Sequence, residues 1–323
     1  MAIAGTNIGL DSTEGMDKIT TTEKVTTPYH SDGSTELLAA NIVTASSLTS
    51  TNKKYFHGIA HSSTPTVEEW NVAFGSSNGY GHNVETNTKS ESEVIYKQYA
   101  SMLLAPTEVT GGFFISSAGS SAAQTGKDTE IYVLTARRSN MKDRLNKGNW
   151  TIALTGSNSA GNGGLLVELT DDSVNSKPTA TPAGDRYNIV SGTLGTVVKE
   201  STVKTYGHFY PDMGILVFSQ QELSASIPGM STGLAQVVAF NSASNRGFGF
   251  TGATNADSHQ ALRFVNCLKA ATGGKLSFRD EEDQVSAQYF CRVKSGHCNF
   301  SNNPTFVSGS LNELRHTKMK GNP

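Results

Sequence analysis

The chain has 323 residues, of which 36% are apolar and only 17% charged, and 26 basic side chains stand against 28 acidic ones. That length is ample for a buried core, and a net charge of −2 lacks the basic excess or stripe that a phosphate-backbone binder carries, so nucleic acid is not an expected partner. No run approaches the roughly 18 apolar residues of a membrane span, and the N-terminus lacks the basic start and apolar core of a signal peptide.

Residues 1–32 are rich in Thr, Gly and Ser without a sustained period, and read as an extended or disordered arm. Residues 33–109 read as a helix-containing N-terminal region. Within it, STELLAANIVTAS (34–46) has the apolar spacing of a short helix, and strands follow near 55–60 and 69–74. The clearest helix covers 91–104, opened by a capping box of Ser90 and Glu93 and stopped by Pro106. Ile95, Tyr99, Met102 and Leu103 would form its apolar face.

From 110 to 323 the pattern is a β-rich main domain. Candidate strands fall at 110–115, 131–137, 149–154, 165–169, 186–190, 196–198, 215–218 and 236–240, separated by Gly, Asn and Pro clusters. A second helix is expected over 258–270, capped by Asp257 and ended by Gly273 and Gly274. A long strand follows, with Val285, Ala287, Tyr289, Cys291 and Val293 on one face. Alternating βα units are absent. The expected class is therefore β-dominated α+β, with antiparallel sheets forming a sandwich under a few covering helices.

Motifs that carry chemistry are weak. Gly75-Ser76-Ser77-Asn78-Gly79 matches the nucleophile elbow G-x-S-x-G, yet no helix is expected until Ser90 to lift Ser77 on a strained turn. Gly247-Phe248-Gly249-Phe250-Thr251-Gly252 matches the dinucleotide fingerprint, but residues intervene on both sides between the glycines and the flanking elements. His57 and His61 lie in a strand-like run, where a four-residue spacing is too wide for one ion; Cys291, His297 and Cys298 lack a fourth ligand. The run Asp280, Glu281, Glu282, Asp283 lacks the ligand alternation of a calcium loop and reads as a solvated turn. Arg315, His316, Lys318 and Lys320 read as a solvated tail. Three cysteines, Cys267, Cys291 and Cys298, are too few for a disulfide framework and fit synthesis in a reducing cytoplasm. No catalytic, cofactor-binding or metal-binding residue is expected, and no cofactor.

Longer strings say more. QVSAQYFCRVKSGHCNFSNNPTF (284–306), IYVLTARRSNMKDRLNKGNWTIAL (131–154), DRYNIVSGTLGT (185–196), YGHFYPDMGILVFS (206–219) and FRDEEDQ (278–284) resemble virion structural proteins of contractile-tailed, T-even-like phages that infect marine cyanobacteria. FHGIAHSSTPTVEEWNVAFG (56–75) is compatible with the same family. The resemblance implies a tail-associated structural protein without enzymatic activity. It implies most specifically a baseplate wedge component, a β-sandwich with helical additions that self-associates as a dimer or higher and contacts other tail or baseplate proteins. Family members would continue into further strands beyond Pro323. The alternatives are a neck or tail-fibre connector and, from another class, a tail-associated hydrolase; a connector fibre would show repeats or heptads, and a hydrolase a coherent nucleophile, base and acid.

Overall fold

A computed structural model describes residues 17–45, 56–79, 91–115, 127–157, 163–198, 204–223, 259–269, 273–290, 307–308 and 313–314. In chain order these form β1 (Asp17–Pro28), β2 (Glu36–Leu38), β3 (Ile42–Ala45), β4 (Phe56–His61), β5 (Glu68–Ser76) and helix α1 (Glu91–Leu103). Then come β6 (Glu130–Ala136), β7 (Arg144–Leu145), β8 (Thr151–Ser157), β9 (Gly163–Asp171), β10 (Thr179–Thr181), β11 (Gly184–Thr193), β12 (Thr196–Val197), β13 (Thr205–Tyr210) and β14 (Ile215–Ser219). Helix α2 (His259–Lys269) precedes β15 (Lys275–Ser277), β16 (Arg279–Phe290), β17 (Val307–Ser308) and β18 (Glu313–Leu314). The expected β-dominated, antiparallel α+β class is the one found.

The chain divides into two compact units, Lys24–Glu282 and a smaller one made of Met1–Glu23 with Asp283–Pro323. The boundaries thus fall at 23/24 and 282/283 rather than at the expected 32/33 and 109/110. Residues 33–109 are not separate, because their strands belong to the same sheet as those that follow.

Within Lys24–Glu282, a 13-stranded sheet runs in the order β2-β15-β8-β9-β11-β13-β14-β6-β5-β4-β3, with β10 and β12 paired to β11. Its first and last strands are consecutive in the chain, joined by the three-residue 3-10 turn Ala39–Asn41, so the sheet rolls until its ends meet and comes close to a barrel. This overturns the short helix expected over 34–46. Leu37 is pinned opposite Leu276 and Ile42 opposite His61, and that pairing outweighs a weak helical period.

Side-chain alternation builds two cores from one sheet. Tyr132 and Leu134 of β6 and Leu216 and Phe218 of β14 point to the larger core, while Ile131, Val133, Ile215 and Val217 point to the second. The inner core stacks Trp150 on Phe278 at 5.3 Å and 6°, with Trp70 against Phe278 at 4.4 Å. Helix α2 packs against β8, β5, β4 and β15 and adds Ala261, Phe264, Val265, Cys267 and Leu268 to this core. Helix α1 covers the second core.

That helix presents a different face from the expected one. Tyr96, Ala100, Leu103 and Leu104 are buried, whereas Met102 is exposed. Tyr96 settles the rotation, since its hydroxyl donates to the Asp128 carbonyl at 2.6 Å and accepts from Phe113 N at 3.0 Å. Residues 110–115, expected as a strand, are a turn followed by irregular chain, with Gly112 at φ 78. The expected strand 236–240 and the caps Ser90 and Asp257 lie outside the described residues.

In the smaller unit, β1 and β16 each contribute part of their length, and Thr21 Oγ1 and Ser286 Oγ meet across them at 2.6 Å. β17 pairs with β18. Residues 19–23 and 284–289 are exposed.

Candidate functional site

Ser77 stands just past β5, its N–H bonded to Thr129 O at 2.7 Å, and Gly79 closes the turn at φ 72. It lines an open groove of about 910 Å³ beside α1, together with Val94, Tyr96, Lys97, Val109 and Gly111. Among the described residues no histidine or carboxylate lines that groove, and Lys97 is paired with Glu93.

His57 and His61 lie on β4, four residues and therefore roughly 13 Å apart along the strand. Among the described residues no three His, Cys, Asp or Glu side chains gather as a metal site. Gly247–Gly252, Cys291, His297 and Cys298 lie outside the described residues.

The acidic run is not a solvated turn. It opens β16, and Asp280 and Glu281 are buried. Glu281 meets Lys24 at 3.1 Å and Arg144 Nε at 3.0 Å, Glu282 meets Lys142 at 2.8 Å, and Asp280 accepts from Lys142 N at 2.6 Å. Burial raises the Asp280 pKa, and Asp280, Glu281 and Glu282 find partners within the same unit more than 130 positions away in the sequence, too far for a local reading to pair them.

The most connected polar cluster was not marked by any motif. Tyr29, His30 and Ser31 follow β1 and close on Glu69 of β5. Tyr29 OH donates to Glu69 O at 2.6 Å and accepts from Arg137 N at 2.7 Å. His30 Nδ1 lies 2.7 Å from Glu69 Oε2, and both side chains are fully buried. His30 Nε2 faces Leu276 O at 3.2 Å, so both ring nitrogens point at oxygen atoms. Ser31 gives its N–H at 2.9 Å and its hydroxyl to Glu69 Oε1. Burial pushes the Glu69 pKa up, but the bonds from His30 and Ser31 outweigh it and hold the carboxyl below its ordinary value. A glutamate directly before Trp70 in an apolar strand was the available signal. The expected arm therefore does not extend to residue 32, since residues 17–28 are a strand and Tyr29 and His30 are anchored in the core.

Other buried ionisable groups are dispersed. His208 is driven down to about 3 by burial and by the Arg186 charge, and Tyr210 is pushed up to about 12 by burial. Burial raises Asp128, which accepts from Ser219 Oγ at 2.5 Å and Ile115 N at 2.8 Å, and Asp171, which holds Gly148 N at 2.8 Å. Asp128 and Asp171 thus each hold a backbone N–H. On the ribbon of the smaller unit, Val285 is 65% exposed and Tyr289 57%, with Ile19 also exposed. Compared with known proteins, the chain matches no family model, no curated protein and no solved structure.

Proposed function

We propose that the chain is a non-enzymatic structural subunit of a phage contractile tail, most specifically of the baseplate wedge. It would work by burying surface against other tail or baseplate proteins and against further copies of itself. The observation that carries this reading is the set of sequence strings that resemble cyanophage virion proteins. Their positions support it: they supply β6, β8, β11, β13 and β14 at the centre of the large sheet, and β16. An exposed ribbon bearing Val285 and Tyr289 adds support, because a two-stranded ribbon is marginal alone and large exposed apolar side chains mark contact surfaces.

Subunit-resolved electron microscopy of the purified particle tests the proposal. The expected map shows this chain in the tail with more than one neighbour and interfaces well above about 1,000 Å². A chain that touches its neighbours only through small, wet contacts, or that is missing from the tail, refutes it.

A further inference from the structure

β4 ends at His61, and the turn that follows folds back over its ring. Thr64 N donates to His61 O at 2.9 Å and Val67 N to Thr64 O at 3.0 Å, which brings Ser63 to the histidine. Ser63 Oγ lies 2.5 Å from His61 Nδ1, and Ser63 N donates to the same nitrogen at 3.1 Å. A nitrogen that accepts a backbone N–H carries its lone pair there, so the ring proton sits on Nε2. Nε2 faces Asp32 Oδ2 at 3.4 Å. The other carboxylate oxygen, Oδ1, accepts from Ser34 N at 2.9 Å and Ser34 Oγ at 2.7 Å, which fixes the carboxylate behind the ring. Ser63 is exposed while His61 is buried beneath it. Hydroxyl, imidazole base and carboxylate thus stand in the order that activates a serine, with the hydroxyl toward solvent.

We infer that Ser63 is a surface nucleophile, activated by His61 and oriented through Asp32, that takes up one acyl group from an activated ester. The Ser63 oxygen attacks the ester carbonyl carbon, and its proton passes to His61 Nδ1. The bond to the leaving oxygen then breaks, and His61 returns the proton to the departing alcohol or phenol. The amides around the site are committed elsewhere: Ser62 N to Asn41 O, Ser63 N to His61 Nδ1 and Thr64 N to His61 O, while Pro65 has none. No pair of them is left to stabilise the tetrahedral oxyanion of either step, so acylation needs an ester with a good leaving group. Hydrolysis of the resulting alkyl ester of Ser63 is slower still, and the product is a lasting acyl-serine rather than a turnover cycle. This chemistry is compatible with a structural role and does not depend on it.

The test uses the full chain and p-nitrophenyl acetate, following p-nitrophenolate release and locating the acetyl group by peptide mapping before and after hydroxylamine. The expected result is one hydroxylamine-labile acetyl group per chain, on Ser63, lost in Ser63→Ala and unchanged in Ser77→Ala. His61→Gln should slow it about 100-fold. Asp32→Asn should slow it by at least about tenfold, with Asp32→Glu restoring most of the rate, a rescue that a purely structural aspartate would not produce. Acetyl groups found only as hydroxylamine-stable adducts on lysines overturn the inference. So does labelling of Ser63 at an unchanged rate in Asp32→Asn and His61→Gln, which would make Ser63 an ordinary exposed hydroxyl. Should His61→Gln melt early, the Asp32→Asn and Asp32→Glu pair, on the partly exposed residue, still decides.

Discussion

Replacing Glu69 by alanine removes the acceptor on which His30 and the Ser31 N–H converge. Both side chains of the His30–Glu69 pair are fully buried, so neither partner can turn to water when the other is lost. Breaking one side of a buried, hydrogen-bonded pair costs about 3–5 kcal/mol. For a body of this size each kcal/mol moves the melting temperature by about 2–4 °C, so Glu69→Ala should melt about 6–20 °C below the parent chain at pH 7. Glu69→Gln keeps the shape and one acceptor and should lose less. The pH dependence follows from the sign of the shift. The folded-state pKa of Glu69 lies below its ordinary value of 4.5, so the ionised carboxylate contributes in full above that value and its contribution fades as pH falls through the folded value. Thermal melts by circular dichroism from pH 7 down to pH 3 should show the gap between parent and Glu69→Ala narrowing below pH 4.5. A gap under about 2 °C at pH 7 would show that the cluster is not an anchor, since that corresponds to less than about 1 kcal/mol. A gap that does not narrow in acid would show that ionised Glu69 is not what stabilises it.

Four further outcomes are expected. Leu194 holds φ 46 at the tip of the β11–β12 hairpin while its side chain is exposed, so Leu194→Gly should stabilise by about 1 kcal/mol; a lower melting temperature would show that the leucine packs. Its neighbour Gly195, at φ 75, would place a Cβ 2.5 Å from Gly148 O, so Gly195→Ala should destabilise by more than about 1 kcal/mol, and a neutral result in denaturant titration contradicts the turn geometry. Removing residues 2–23 strips only residues of the smaller unit, so the main melting transition should stay near native; on the proposed tail role, incorporation into tails should be lost, and normal tails would show that the segment has no joining role. On the same proposed role, Ser77→Ala should leave the infectivity of the particle unchanged, and a loss would give the groove beside α1 a role that its described lining residues do not indicate.

What was legible in the sequence was local. The runs at 131–137 and 215–218 are apolar at every second residue on both faces, and they became β6 and β14, buried on both sides by two cores. Helix α1 is visible because Pro106 and the helical period agree, and α2 because Gly273 and Gly274 bound the stretch in which it lies. The rotation of α1 was not visible, since Met102 and Leu103 are both apolar, and only the Tyr96 hydroxyl, held between Asp128 and Phe113, selects the buried face. Residues 34–46 depart from the expected helix for a related reason: an apolar spacing fits a helix or two short strands, and Leu276 and His61 as cross-strand partners choose the strands. The candidate site divides the same way. Ser77 is marked by its glycines, yet among the described residues no base lines its groove, whereas Ser63, His61 and Asp32 carry no motif and meet only because β4 returns the chain to the turn after His30.

The sequence by itself determined the class of this protein, a weakly charged β-rich chain with two amphipathic helices, because alternation, capping and turn chemistry act over a few residues. The tertiary structure decided everything that depends on distant partners. It rolled one sheet until β2 and β3 met, placed an acidic run against Lys24, Lys142 and Arg144, and buried Glu69 on His30. Charge pairing and strand register are set by which segments lie side by side in space, and no local pattern encodes that adjacency.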